Sequence, residues 1–135
     1  MFGQKNTAAS AYARVGVETK VSTASPHQLI VMLYDGALLS VNSAAVAMES
    51  GDIPGKGQAI SKAINIISNG LKASLDMEAG GELSGRLAAL YEYMAQRLLQ
   101  ANLQNSRPAL DEVSGLLTEL RGAWLDIADM AAETA

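Results

Sequence analysis

A chain of 135 residues, 49% hydrophobic but only 4% aromatic, is long enough for one domain whose core is built from Leu, Ile, Val, Ala and Met. Fourteen acidic against ten basic residues leave a formal charge of −4, which argues against nucleic acid as a partner, and no basic tract offers itself to an anionic membrane. Absence of cysteine excludes disulfides and thiolate metal sites. No uninterrupted apolar run approaches the ~18 residues of a membrane span, and no signal-type apolar region follows Lys5, so the cytoplasm is the expected compartment and membrane insertion is not expected.

Residues 1–24 read as an arm in which small and polar residues dominate, relieved by Tyr12, Val15, Val17 and Val21. A short helix around Ala8 to Val15 is weakened by Gly16. A few apolar hooks on such a segment suit docking on a groove and leaving it. The bundle domain is expected over residues 25–135, opening with Ser25-Pro26-His27-Gln28. Ser25 can accept at the N-cap, Pro26 suits the first helical position, and Gln28 completes a capping box. Leu29 to Tyr34 then form six consecutive apolar or aromatic residues, which point all round a helix axis at 100° per residue. Leu29, Ile30, Leu33, Ala37, Val41, Ala44 and Met48 make the main stripe, and Met32, Leu39 and Val46 recur at seven-residue intervals on the opposite side. A helix apolar on two sides is either central to its own fold or has a surface that awaits a partner. Gly51 is a natural residue just beyond the helix end, and Pro54 firms the break.

A second helix is predicted from about Lys56 to Met77, with Ile60, Ile64, Ile67, Leu71 and Leu75 on one face and Ala59, Ile66, Ala73 and Met77 away from it. The turn "EAGGE", residues 78–82, stops it. A third runs from about Leu83 to Asn105 and aligns Leu83, Leu87, Leu90, Tyr91, Met94 and Leu98. After Ser106-Arg107-Pro108, a fourth carries Leu110, Val113, Leu117, Leu120, Trp124 and Ile127 at alternating spacings of three and four, the narrow seam of bundle packing. Blocks of about 20 residues make helices of roughly 30 Å, and short connections make neighbours antiparallel. The expected fold is all-α: an antiparallel up-and-down four-helix bundle with a short N-terminal cap or arm. Trp124, on the seam, is expected to be largely buried.

Catalytic chemistry is hard to find. "GDIPGKG", residues 51–57, glances at a phosphate-binding loop, but three residues rather than four separate Gly51 from Gly55, Gly57 follows Lys56, and no strand precedes. It reads as an inter-helix turn. The lone His27 reads as a solvated residue in a first helical turn, and Asp76, Glu78 and Glu82 miss the calcium-loop spacing. Gly115 and Gly122, one heptad apart, read as tolerated surface glycines. No enzyme activity, cofactor or metal is expected. Spare apolar faces point instead to a groove for a partner helix, with Met supplying adaptable contacts.

The runs "AYARVGVETKVSTASPHQLIVMLYDGAL", "GKGQAISKAINIISNGLKASLDMEAGGELSGRLAALYEYMAQRLLQAN" and "LLTELRGAW" resemble the flagellin export chaperone family FliS over residues 11–127, in order and spacing. The resemblance implies a cytoplasmic bundle that binds the disordered C-terminal segment of newly made flagellin, prevents premature polymerisation and delivers the subunit to the flagellar type III export gate, with no nucleotide or metal. On that reading the flagellin groove is drawn from Leu29, Met32, Leu33, Leu39, Val46, Ile66, Tyr91 and Met94. Tyr12, matching the tyrosine of the family's "AY", would dock the loaded complex on the membrane protein of the gate. Ala9 stands where some relatives carry a larger apolar residue, which would weaken arm docking. The rival reading is a self-associating structural bundle whose second stripes pair with another copy and which has no flagellin client.

Overall fold

The computed structural model describes residues 25–134, which form four helices and no strand. Helix α1 spans Pro26–Ser50 and α2 spans Ile53–Asn65; α2 continues through a π-helical stretch, Ile66–Leu71, and a 3-10 turn, Lys72–Ser74. Helix α3 spans Met77–Gln104 and α4 spans Arg107–Thr134. The expected arm, residues 1–24, lies outside the described residues. Helices α1 and α3 each pack against both α2 and α4, so α1 and α3 are diagonally opposed in an antiparallel four-helix bundle.

Local chemistry sets the boundaries. At the start of α1 the capping box is complete: Gln28 N–H donates to Ser25 Oγ at 3.1 Å and Ser25 N–H to Gln28 Oε1 at 2.8 Å. Gly51 ends the helix in the left-handed region at φ 75°, its N–H turned back onto α1 carbonyls. Asp52 then caps α2 by accepting from Gly55 N–H at 3.1 Å. Helix α2 therefore begins at Ile53, not near Lys56. Pro54 falls in its first turn, where a missing N–H leaves no bond unmade, and it opens a helix instead of breaking one.

The "EAGGE" segment also behaves differently from a plain turn. Asp76 accepts from Glu78 N–H and Ala79 N–H at 3.1 and 3.0 Å, so α3 starts at Met77. The irregularity shrinks to Gly81, at φ 54° and ψ −127°, a conformation open essentially to glycine alone. A Cβ on Gly80 would stand 1.8 Å from Ser84 Oγ, which donates to Asp76 O at 3.0 Å. One glycine supplies the backbone angle and the other the clearance.

Leu29, Leu33, Ala37, Val41 and Ala44 of α1 are buried, as their stripe predicts, against Ile60, Tyr91, Leu98, Leu110, Val113 and Leu117. By length and composition α1 could cross a membrane, but half of its apolar window is buried inside the bundle. Two predicted seams lose register at their ends. Leu83 is 64% exposed, and Ile127 49%. Trp124 is only partly buried, packed against the edge of the core.

Ile66, placed by period off the main stripe of the second helix, is fully buried. Ala63, Ile66, Ile67 and Gly70 follow the i, i+3, i+4, i+7 spacing of one helical face, so the inward side is centred nearer Ala63 and Ile67 than the predicted stripe, and Ile64 and Leu75 fall to its partly buried edge. Ile66 Cδ1 lies 3.4 Å from where a Cβ on Gly36 would stand, so α1 is thinned at the point of contact.

Candidate functional site

The eight side chains expected to form a groove divide sharply. Leu29, Leu33, Ile66, Tyr91 and Met94 are core residues with at most 3% exposure, and in the free chain they offer no surface to a partner. Tyr34 and Tyr91 meet across the bundle diagonal, their hydroxyls 2.5 Å apart. Burial pushes the Tyr91 phenol far above its ordinary range and raises that of Tyr34 as well. Burial explains the miss: a period of three and four marks an apolar face without saying whether the bundle or a guest covers it. Met32 is partly buried beside the core.

Leu39 and Val46 are different. Each is 67% exposed, one heptad apart on the helix that otherwise supplies much of the core. They line an open groove of about 530 Å³ with Asn42, Ser43, Ala47, Ser50, Asp52 and Gly55. The surface is therefore shared between the back of α1 and the start of α2. Further exposed apolar side chains stand on other faces: Ile53 on α2, and Leu99 and Leu103, four residues apart, on α3.

A second, smaller opening of about 330 Å³ adjoins the first through Ala47 and Asp52. Met48, Gly51, Ile53, Asn102, Leu103 and Asn105 complete its walls, and Lys56 enters it. Lys56, the lysine of the loop that glanced at a phosphate site, is 7% exposed. Its ammonium donates to Asn102 O at 3.1 Å and to Asn105 Oδ1 at 2.9 Å, at the C-terminus of α3 where the helix dipole favours a cation. Asn105 itself ends α3 in the left-handed region at φ 51°. A signal for this burial existed, because Lys56 precedes Ile60, Ala63 and Ile67 at core spacing.

At the opposite end of the bundle a third opening of about 330 Å³ is lined by Pro26, His27, Ile30, Leu75, Leu83, Leu87 and Trp124 among others. His27 is not the solvated residue expected of a first turn. Its ring meets Trp124 edge-on, centroids 4.8 Å apart, and Nε2 is buried with no hydrogen-bond partner.

Ion pairs hold the rim. Arg97 reaches Glu112 at 2.7 Å, and Tyr93 donates to the same carboxylate at 2.5 Å, joining α3 to α4. Those two donors, Tyr93 foremost, hold the Glu112 carboxyl below its usual range, and the same bond raises the Tyr93 phenol. Arg121 pairs with Asp35 at 2.5 Å, and Arg107 with Glu49, both joining α4 to α1. No group of three metal-ligating side chains gathers among the described residues. Gly115 and Gly122 have no neighbour within 4 Å of a built Cβ.

The site is thus an assembly of exposed apolar side chains and small polar groups on rigid helices. Comparison with known proteins places the chain in a family. The family model described as flagellar protein FliS matches residues 8–131. A flagellar secretion chaperone FliS of Salmonella typhimurium is 55% identical over 121 residues, covering 90% of each chain. One from Escherichia coli is 48% identical, over 92% of this chain and 90% of its own, and one from Bacillus subtilis is 39% identical over 79% and 78%.

Proposed function

The chain belongs to the family of the flagellar protein FliS and serves flagellar export as a chaperone; from that premise we propose that its client is the C-terminal segment of newly made flagellin. On this reading it works in the cytoplasm, holds the client back from polymerising and carries it to the type III export gate, where Tyr12 of the arm makes the docking contact. No catalytic step is required. The observation that carries the reading is the pair Leu39 and Val46, two-thirds exposed on a central core helix beside an open groove.

Magnitudes constrain how the client lies. Burying the exposed part of two such aliphatic side chains yields about 2–4 kcal/mol. Ordering a disordered segment costs about 2–5 kcal/mol or more, so this pair alone does not hold it. The client must also cover other exposed apolar residues, such as Ile53, Leu99 and Leu103, and that favours a segment wrapped around the bundle over one short helix in one groove. Met32 at the edge of the core adds an adaptable contact.

Size-exclusion chromatography with light scattering tests the proposal. A monomer at all concentrations that becomes a 1:1 complex with flagellin is the expected result. Concentration-dependent self-association with no uptake of flagellin overturns it and favours a structural bundle.

A further inference from the structure

Lys56 is a buried ammonium held only by neutral groups at the C-terminus of α3. A buried ammonium is costly unless paired, yet Lys56 has no carboxylate within ion-pair distance among the described residues. Its two acceptors, Asn102 O and Asn105 Oδ1, are neutral oxygens. An ammonium carries three donors, so one proton remains, and the side chain enters an opening whose walls include Ile53, Met48 and Leu103. The opening admits a chain end better than a bare ion, because its lining is largely apolar around a single cation. Asp52, the one carboxylate on the wall, is engaged by Gly55 N–H at the start of its own helix.

We infer that this opening receives the C-terminal carboxylate of the client, with its last apolar side chains against Ile53 and Leu103 and the carboxylate on Lys56. The inference rests on the flagellin reading and adds the feature that is recognised: a free chain end. Charge complementarity selects this occupant, and proximity supports it, since the groove beside Leu39 and Val46 shares the wall residues Ala47 and Asp52 with the opening. From Leu39 to Ser50, α1 advances about 16 Å at 1.5 Å per residue, room for roughly three turns of a client helix before its end reaches Lys56.

The test uses the full chain and two synthetic peptides of the same flagellin C-terminal segment, one ending in the free acid and one amidated, titrated by calorimetry. Amidation removes a negative charge that opposes the helix dipole, so it favours a client helix in itself. The acid is nonetheless expected to bind about tenfold or more tightly, as a charge-assisted contact would require. In Lys56→Gln, checked for native helicity, that preference disappears while binding of the amide is little changed. Should Lys56→Gln fail to fold, adding residues beyond the peptide's C-terminus gives the second measurement on the unaltered chain, and weakened binding is expected. Equal affinity of acid and amide overturns this inference and leaves the flagellin reading standing. Binding of neither peptide overturns both.

Discussion

At the scale of single residues, the Tyr34–Tyr91 contact is the most exacting feature of the core. Two buried phenols meet at an oxygen separation of 2.5 Å, and the Trp124 side chain also hydrogen-bonds to Tyr34. Removing one hydroxyl takes a partner from the other, whereas removing both deletes the pair and leaves only the Trp124 donor to Tyr34 unmatched. Tyr91→Phe is therefore expected to cost about 1–3 kcal/mol, and the Tyr34→Phe/Tyr91→Phe double variant less than the sum of the singles; urea titrations of the four proteins measure the coupling. The same pair sets an alkaline limit. Both phenols titrate higher folded than unfolded, so they add stability that is complete below about pH 10 and falls as pH rises above it. The double variant should lack the pair's share of this loss, keeping only that of the raised Tyr93 phenol. A pH series of unfolding curves on both proteins settles the point, and an equal loss of stability in the double variant would show that other groups govern it.

At the scale of elements, the caps and seams were legible and the irregular stretches were not. The capping box at Ser25, the helix-ending Gly51 and the run Leu110, Val113, Leu117 are local patterns, and each appears where its chemistry puts it. Ile66 falls off the predicted stripe because that stripe is centred on Ile64 and Leu75, both only partly buried, whereas Ile60, Ala63, Ile66, Ile67 and Leu71 line the inward side. Leu29, Leu33, Tyr91 and Met94 belong to the core and not to a groove, because periodicity marks apolar faces and tertiary packing decides which are covered. The exposed stripe of α1, Leu39 and Val46, was legible as a second face. It yields a prediction: Leu39→Asp should weaken flagellin binding about tenfold or more while shifting stability by only about 0.5 kcal/mol, as for a surface change. Thermal unfolding and calorimetric titration of one preparation decide it, and collapse of helicity would place the stripe in the core. The kink of α3 gives a second. Gly81→Ala forces a side chain into a glycine-only backbone angle and should cost about 1–3 kcal/mol, whereas Gly115→Ala, with open space around it, should stabilise by about 0.4–1 kcal/mol. Thermal midpoints compare the two directly.

At the scale of the whole molecule, the bundle closes on itself within the described residues. Its core runs through all four helices, and Arg107–Glu49, Arg121–Asp35 and Arg97–Glu112 tie α4 to α1 and α3. Tyr12 lies outside the described residues, and docking on the export gate is its proposed role. Few apolar residues accompany it, so the loss of one ring should hardly alter the bundle. A docking contact can rest on one aromatic anchor, because such residues supply a disproportionate share of interface energy. Tyr12→Ala is accordingly expected to leave thermal stability and flagellin binding nearly intact. It should lower the affinity of the loaded complex for the gate's cytoplasmic domain by about 2 kcal/mol or more. Binding to that domain, measured with and without flagellin, separates carrying from delivering. A variant that loses flagellin but docks normally would move Tyr12 from the gate contact to the cargo surface, and the arm would then belong with Leu39 and Val46 to the client's site.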